Sequence, residues 1–256
     1  PDPDWRNFDK MANERLTASR AMPRAVAQSF FENRYLTVMS IALLAAGVIS
    51  LTSVVQGVLA HEDAMYMVLN GLGAFLNLFV GVRLNGLRTR QTFESAKSMG
   101  RICLVYCCVQ AFLLLLTGSM YVSMHEIIHS PEAAAELVEG AVEQWDSMLP
   151  YYILTLVVTL FQAVSWGLFA RGVNDVRDMT RGRLPSRNAF TPAAAVCALT
   201  TGLMLCTTAL NVMMAWGNAE GVGVALVNSL PELAVYFACA QLCRQSAAAR
   251  NGVRTL

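Results

Sequence analysis

LTVMSIALLAAGVISLTSVVQGVLA, residues 36–60, carries no charged side chain from end to end. A helix needs about 20 apolar residues to cross a hydrocarbon core of roughly 30 Å, so this stretch is long enough to span a membrane. Four more uncharged stretches follow, at 64–82, 102–124, 147–170 and 188–219. A sixth, at 221–243, is interrupted only by Glu232. The pattern predicts an all-α, polytopic membrane protein with six transmembrane helices, at about 35–60, 64–87, 101–127, 150–173, 192–216 and 222–243. With short connections, the six form three hairpins.

Charge sorting sets the expected orientation. The chain has 19 Lys and Arg residues. Six precede the first stretch, and Arg83, Arg88, Arg90, Lys97 and Arg101 lie between the second and third. Arg171, Arg177, Arg181, Arg183 and Arg187 lie between the fourth and fifth, and Arg244, Arg250 and Arg254 follow the sixth. The other three connections have none. Lys and Arg accumulate on the cytoplasmic side of a membrane, so both termini are expected there. The membrane is then the inner or plasma membrane of a bacterium, or an organelle membrane.

Composition agrees with this class. Hydrophobic residues make up 55% of the 256-residue chain and charged residues 14%, against about one-quarter charged in a soluble domain. Mean hydropathy is +0.45. The first stretch begins too late and runs too long for a cleaved signal peptide. The basic residues lack aromatic interleaving, which argues against nucleic acid as a partner. Membrane lipids are the expected surroundings, with other membrane subunits or further copies of the chain as candidate partners.

Outside the six spans, two segments have amphipathic patterns. In the arm 1–34, Trp5, Phe8, Ala12 and Leu16 recur near helical spacing, predicting a helix at the inner membrane surface that ends near Pro23. The tail 249–256 follows the 35–248 membrane domain. Between spans three and four, Ser130-Pro131-Glu132 is a good helix start. From there Glu132, Glu136, Glu139, Glu143 and Asp146 form an acidic stripe opposite Ala134, Val138, Ala141, Trp145 and Met148. An outer helix over 131–148 follows, with Trp145 at the interface.

Several residues are candidates for chemistry. Glu232 sits near the middle of span six, next to Pro231, where an acid costs at least about 2.5–3.5 kcal/mol; such residues usually face a bundle interior or a water-filled path. A weak internal repeat relates Leu51-Thr52-Ser53, Leu116-Thr117-Gly118 and Cys206-Thr207-Thr208, and it makes Asn77, Gln162 and Glu232 equivalent polar positions, one per even span. Asn70, Ala74, Asn77, Gly81 and Asn85 form a small-and-polar stripe along span two, either a packing seam or the wall of a path. Asn228 is a further candidate for that path. The seven Cys lie within the spans, so no disulfide is expected. Cys103/Cys107 and Cys239/Cys243 are i,i+4 pairs that read as helix packing or, if their helices touch, as four thiols converging on a metal.

His125-Glu126-Ile127-Ile128-His129 places two imidazoles one helical turn apart, with a carboxylate beside them. The pattern resembles the H-E-x-x-H signature of zincin-type metallopeptidases. That resemblance covers five residues. It implies His125 and His129 as ligands of Zn²⁺ and Glu126 as general base. His61, the third His of the chain, lies in another outer connection and is a candidate third ligand.

Three functions fit these observations. One is a transporter, or the membrane component of a transport system, handling a small solute or cation within the bundle. Another is a non-catalytic subunit that anchors or assembles a larger membrane complex. The third is a zinc-dependent hydrolase at the outer face.

Overall fold

In a computed structural model the chain is described over residues 20–59, 64–130 and 140–254, and these residues are almost entirely helical, with no strand among them. Helix α1 covers residues 20–31. It is followed by α2 (Arg34–Leu59), α3 (Ala64–Arg90), α4 (Phe93–Ile128), α5 (Ala141–Thr180), α6 (Phe190–Met214) and α7 (Ala219–Arg254). Among the described residues five helices are long and apolar enough to cross a membrane: the one ending at Leu59, and α4, α5, α6 and α7. Helix α3 is not among those five, although at 27 residues it is about 40 Å long.

Each helix packs most extensively against its hairpin partner: α2 against α3, α4 against α5, and α6 against α7. Further contacts join α5 to α6 and α3 to α4, and α7 closes against α2. The six helices therefore form a ring in chain order. The helix ends that carry arginine meet. Asn33 donates to Gln245 at 2.8 Å, Asn188 to Asn251 at 3.1 Å, and the Arg181 guanidinium stacks 3.4 Å over the Phe93 ring.

Packing is uneven along the ring. Most buried residues lie in the arginine-rich half of each helix, such as Leu36 to Gly47 of α2, Ala96 to Tyr106 of α4 and Ala163 to Met179 of α5. Large apolar side chains including Ile41, Phe75, Leu115, Leu160, Leu205 and Val227 are exposed on the outside of the helices, where lipid would cover them. The α2–α3 seam is tight enough that a Cβ on Gly47 would lie 2.6 Å from Leu78 Cγ. Across the same seam, the buried Ser40 hydroxyl donates to the Gly81 carbonyl at 2.7 Å.

The structure departs from the sequence-based expectation at two places. Only the end of the arm 1–34 lies within the described residues, so the Trp5–Leu16 stripe falls outside them. Helix α1 buries one face and exposes the other: Val26, Ala27, Phe30 and Phe31 are buried, Phe30 meets Phe169 and Phe190 at ring distances of 6.4 and 5.8 Å, and Arg20, Met22, Arg24, Gln28 and Ser29 are exposed. Pro23 lies within α1 and does not end it.

The second departure concerns the expected outer helix 131–148. Its first part, 131–139, lies outside the described residues. Residues 141–148 are the opening turns of α5, which runs unbroken for 40 residues through Pro150. Gly140, at φ 86°, supplies the left-handed residue that starts it. Trp145 is consequently buried between α4 and α5.

Candidate functional site

Helical geometry alone puts Asn70 and Asn77 on one face of α3, seven residues and nearly two turns apart. Glu232 sits near the midpoint of α7, and Gln162 lies on the part of α5 that shares its depth. In the folded chain all four line one cavity of about 290 Å³ inside the ring. The remaining lining includes Ser50, Tyr106, Gln110, Thr117, Thr159 and Tyr236, with Leu43, Ala46, Leu76, Leu113 and Val235 supplying apolar wall. Along α4 the lining runs from Tyr106 to Thr117, about 16 Å of depth.

A second cavity of about 330 Å³ lies between α5, α6 and α7. It is lined by Tyr151, Thr155, Thr207, Thr208, Asn211, Asn228 and Ser229, and it shares Thr159, Gln162 and Glu232 with the first. Glu232 therefore stands in the partition between two polar spaces, as does Gln162, whose Nε2 lies 3.6 Å from Met204 Sδ. Asn228 faces only the second. The three positions related by the internal repeat, Asn77, Gln162 and Glu232, meet at the first cavity. Of the matching threonines, Thr117 lines the first cavity and Thr207 the second, while Thr52 is exposed and donates to its own Ile49 carbonyl at 2.7 Å.

Toward the arginine-rich end the first cavity stops at an aromatic floor. The buried Tyr106 hydroxyl donates to Asn77 Oδ1 at 2.6 Å, and its ring lies 4.5 Å from that of Trp166. Trp166 Nε1 in turn donates to the Tyr236 hydroxyl at 3.1 Å. Every polar atom of this floor that burial would penalise has a partner. Below it, Phe169, Phe190, Cys197, Cys239 and Cys243 are fully packed. Asn70 differs: its Nδ2 is buried against the cavity without a hydrogen-bond partner. An unsatisfied buried amide donor costs about 1–3 kcal/mol.

The expected small-and-polar stripe of α3 divides into two parts. Asn70 and Asn77 serve the cavity, and Gly81 serves the seam with α2 through Ser40. Asn85 is exposed and takes part in neither. Sequence reasoning did not single out Tyr106, Gln110 or Tyr236. A polar residue opposite a lipid-facing side, at the same depth as Glu232, is the signal that would have found them.

The thiols that meet are also not the expected set. Cys197 on α6 touches Cys239 on α7, Sγ to Sγ 3.4 Å, with Cys243 one turn further along. Cys103 is buried on α4, which is not among the helices packed extensively on α7.

At the opposite end from the arginines, His125 and His129 project from the last turn of α4, their rings 4.2 Å apart. His129 Nε2 lies 3.3 Å from Asp146 Oδ1 on α5, and Trp145 Nε1 donates to His125 Nδ1 at 3.1 Å. Among the described residues the one group with metal-ligand spacing is His125, His129 and Asp146, whose donor atoms lie within 4.8 Å of one another. Glu126 is exposed and not part of it, and His61 lies outside the described residues.

A ring of long apolar helices around a polar interior defines the class: the chain is an all-helical, multi-pass integral membrane protein. No family model matches it, and no curated protein or solved structure does so either.

Proposed function

We propose that the chain is a membrane transport protein, or the membrane component of a transport system, that takes a small polar solute or cation into the cavity around Glu232. Helix α3 is the sixth crossing in this proposal, both termini are cytoplasmic, and the arginine-rich ends face the cytoplasm. The observation that carries it is the convergence of Asn70, Asn77, Gln162 and Glu232, from three helices, on one cavity of about 290 Å³. Polar side chains are costly in a membrane interior, and a structural role would satisfy them against one another. Here Asn77 accepts from Tyr106, but Asn70 Nδ2 has no partner and all four residues border open space, near the lower bound of about 300 Å³ for small-molecule sites.

The uneven packing supports a transport cycle. The cavity is sealed toward the arginines by Tyr106, Trp166 and Tyr236, with α1 wedged beneath. Burial thins out in the other half of the bundle. That asymmetry supports reading the site as closed to one compartment and reached from the other, as alternating access requires. Glu232 is the titrating or cation-coordinating group; Asn70, Asn77 and Gln162 orient the solute, and Asn228 lines the neighbouring space.

The test is reconstitution. With the protein in proteoliposomes, a panel of small cations and polar solutes is screened for flux and for coupled proton movement. Glu232→Gln, nearly isosteric but unable to titrate, should abolish coupling or lower flux at least ten-fold while the protein stays folded. Unchanged flux in that variant removes Glu232 from the mechanism.

A further inference from the structure

The cluster at the far end from the arginines has an electrostatic requirement of its own. His129 Nδ1 lies 2.9 Å from the His125 carbonyl oxygen. A carbonyl only accepts, so Nδ1 carries a proton and donates it. In the neutral ring the lone pair is then on Nε2, and Nε2 faces Asp146 Oδ1 at 3.3 Å. A lone pair directed at a carboxylate oxygen is repulsive, so a positive centre belongs between them: a proton on Nε2, or a metal ion.

Three features favour a metal. First, a backbone acceptor on the far ring nitrogen is the arrangement by which metal-bound histidines are oriented. Second, two ligands of a tetrahedral ion with bonds of about 2.0–2.1 Å stand roughly 3.4 Å apart, which matches the 3.3 Å observed from His129 to Asp146. Third, His125 lies one turn back on α4 with its ring 4.2 Å from that of His129, and the three donor atoms are all within 4.8 Å. Two imidazoles and one carboxylate suit a borderline ion such as Zn²⁺ better than Mg²⁺ or Ca²⁺, which prefer oxygen.

We propose that His125, His129 and Asp146 form a zinc-class divalent cation site that clips the last turn of α4 to the first turns of α5. The third ligand is Asp146, and Glu126 holds no part of the ion.

Trp145 is the built-in reporter. Its indole donates to His125 Nδ1, which leaves the proton of that neutral ring on Nε2. Coordination by His125 needs a free ring lone pair. Either Nδ1 releases the indole or the ring turns over, and both break the Trp145 contact. Metal binding therefore changes the surroundings of a tryptophan that also packs 4.9 Å from the Tyr152 ring.

The probe is Zn²⁺ added to chelator-stripped full-length protein in mild detergent, prepared without a polyhistidine tag. Equilibrium dialysis with elemental analysis should give one saturable Zn²⁺ per chain, accompanied by a fluorescence change and a higher melting temperature. His129→Ala and Asp146→Asn should each weaken binding at least ten-fold and remove the stabilisation. Asp146→His, which keeps a ligand at that position, should retain binding and serves as the folding control. Glu126→Gln should leave the affinity unchanged. Trp145→Phe should keep binding, tightened if anything, and lose most of the fluorescence response. The proposal is overturned if the intact protein shows no saturable binding, or if neither ligand replacement weakens it. It is overturned equally if Glu126→Gln weakens it as much as they do. Because no flux is measured, failure here leaves the transport proposal untouched.

Discussion

Replacing Gly81 by alanine tests whether the α2–α3 seam sets the geometry of the cavity wall. The new Cβ would lie 2.9 Å from Leu44 Cγ and 3.1 Å from the Ser40 carbonyl oxygen. Non-bonded carbons sit comfortably at about 3.5–4.0 Å. Leu44 can swing away, but the Ser40 carbonyl moves only with α2. Relief therefore needs the two helices to separate by roughly half an ångström, well within the range that a packed seam resists. The Ser40–Gly81 hydrogen bond, 2.7 Å in the native seam, would stretch to about 3.2 Å, past the usual O–H···O limit of about 3.0 Å.

The magnitudes can be set against one another. Overpacking costs about 1–3 kcal/mol, and weakening one interhelical hydrogen bond in a membrane adds about 0.6 kcal/mol. Alanine in place of glycine returns about 1 kcal/mol of helix propensity. The net loss is about 0.6–2.6 kcal/mol. Gly202→Ala is the matched control, since no atom lies within 4 Å of its added Cβ, and it should gain up to about 1 kcal/mol. Reversible unfolding in mixed micelles reads both variants. Solute affinity of Gly81→Ala should also fall, because Asn77 moves with α3 away from Tyr106. If the two alanine variants prove equally stable, the seam is not close-packed and the reasoning fails.

Two further outcomes are expected. Tyr106→Phe strips Asn77 of its 2.6 Å donor at the cavity floor; stability should drop by about 0.6–1.7 kcal/mol, the range of interhelical hydrogen bonds in membranes, and the cavity should leak toward the arginine-rich side. A fluorophore-release assay on sealed vesicles measures the leak, and a tight, fully stable variant would refute the role of the floor. Single cysteines placed at Arg88 and at Glu143, in a background without the native thiols, should react with a membrane-impermeant maleimide from opposite sides. Labelling of both from one side would overturn the proposed threading and the crossing of α3.

Local sequence determined much of this protein. The uncharged stretches required long helices, because an unpaired charge in hydrocarbon costs several kcal/mol and a non-helical backbone would leave its polar groups unsatisfied. The spacing of 19 basic residues anticipated that the helix ends bearing them belong together, and in the fold Asn33 and Gln245, Asn188 and Asn251, and Arg181 and Phe93 join those ends. Glu232, Asn77 and Gln162 stood out one by one, because polarity at mid-span is rare enough to notice without knowing any neighbour.

Tertiary structure alone decided which of these residues face one another. Hydropathy gives depth, but the rotation of each helix about its axis, and its choice of neighbour, depend on how small residues such as Gly47 and Gly81 let particular backbones approach. For that reason the closure of α7 on α2, the floor of Tyr106, Trp166 and Tyr236, and the contact of Cys197 with Cys239 appear only in the fold. The same holds for Asp146. Periodicity put it in a solvated acidic stripe, and only the unbroken course of α5 carries it to His129.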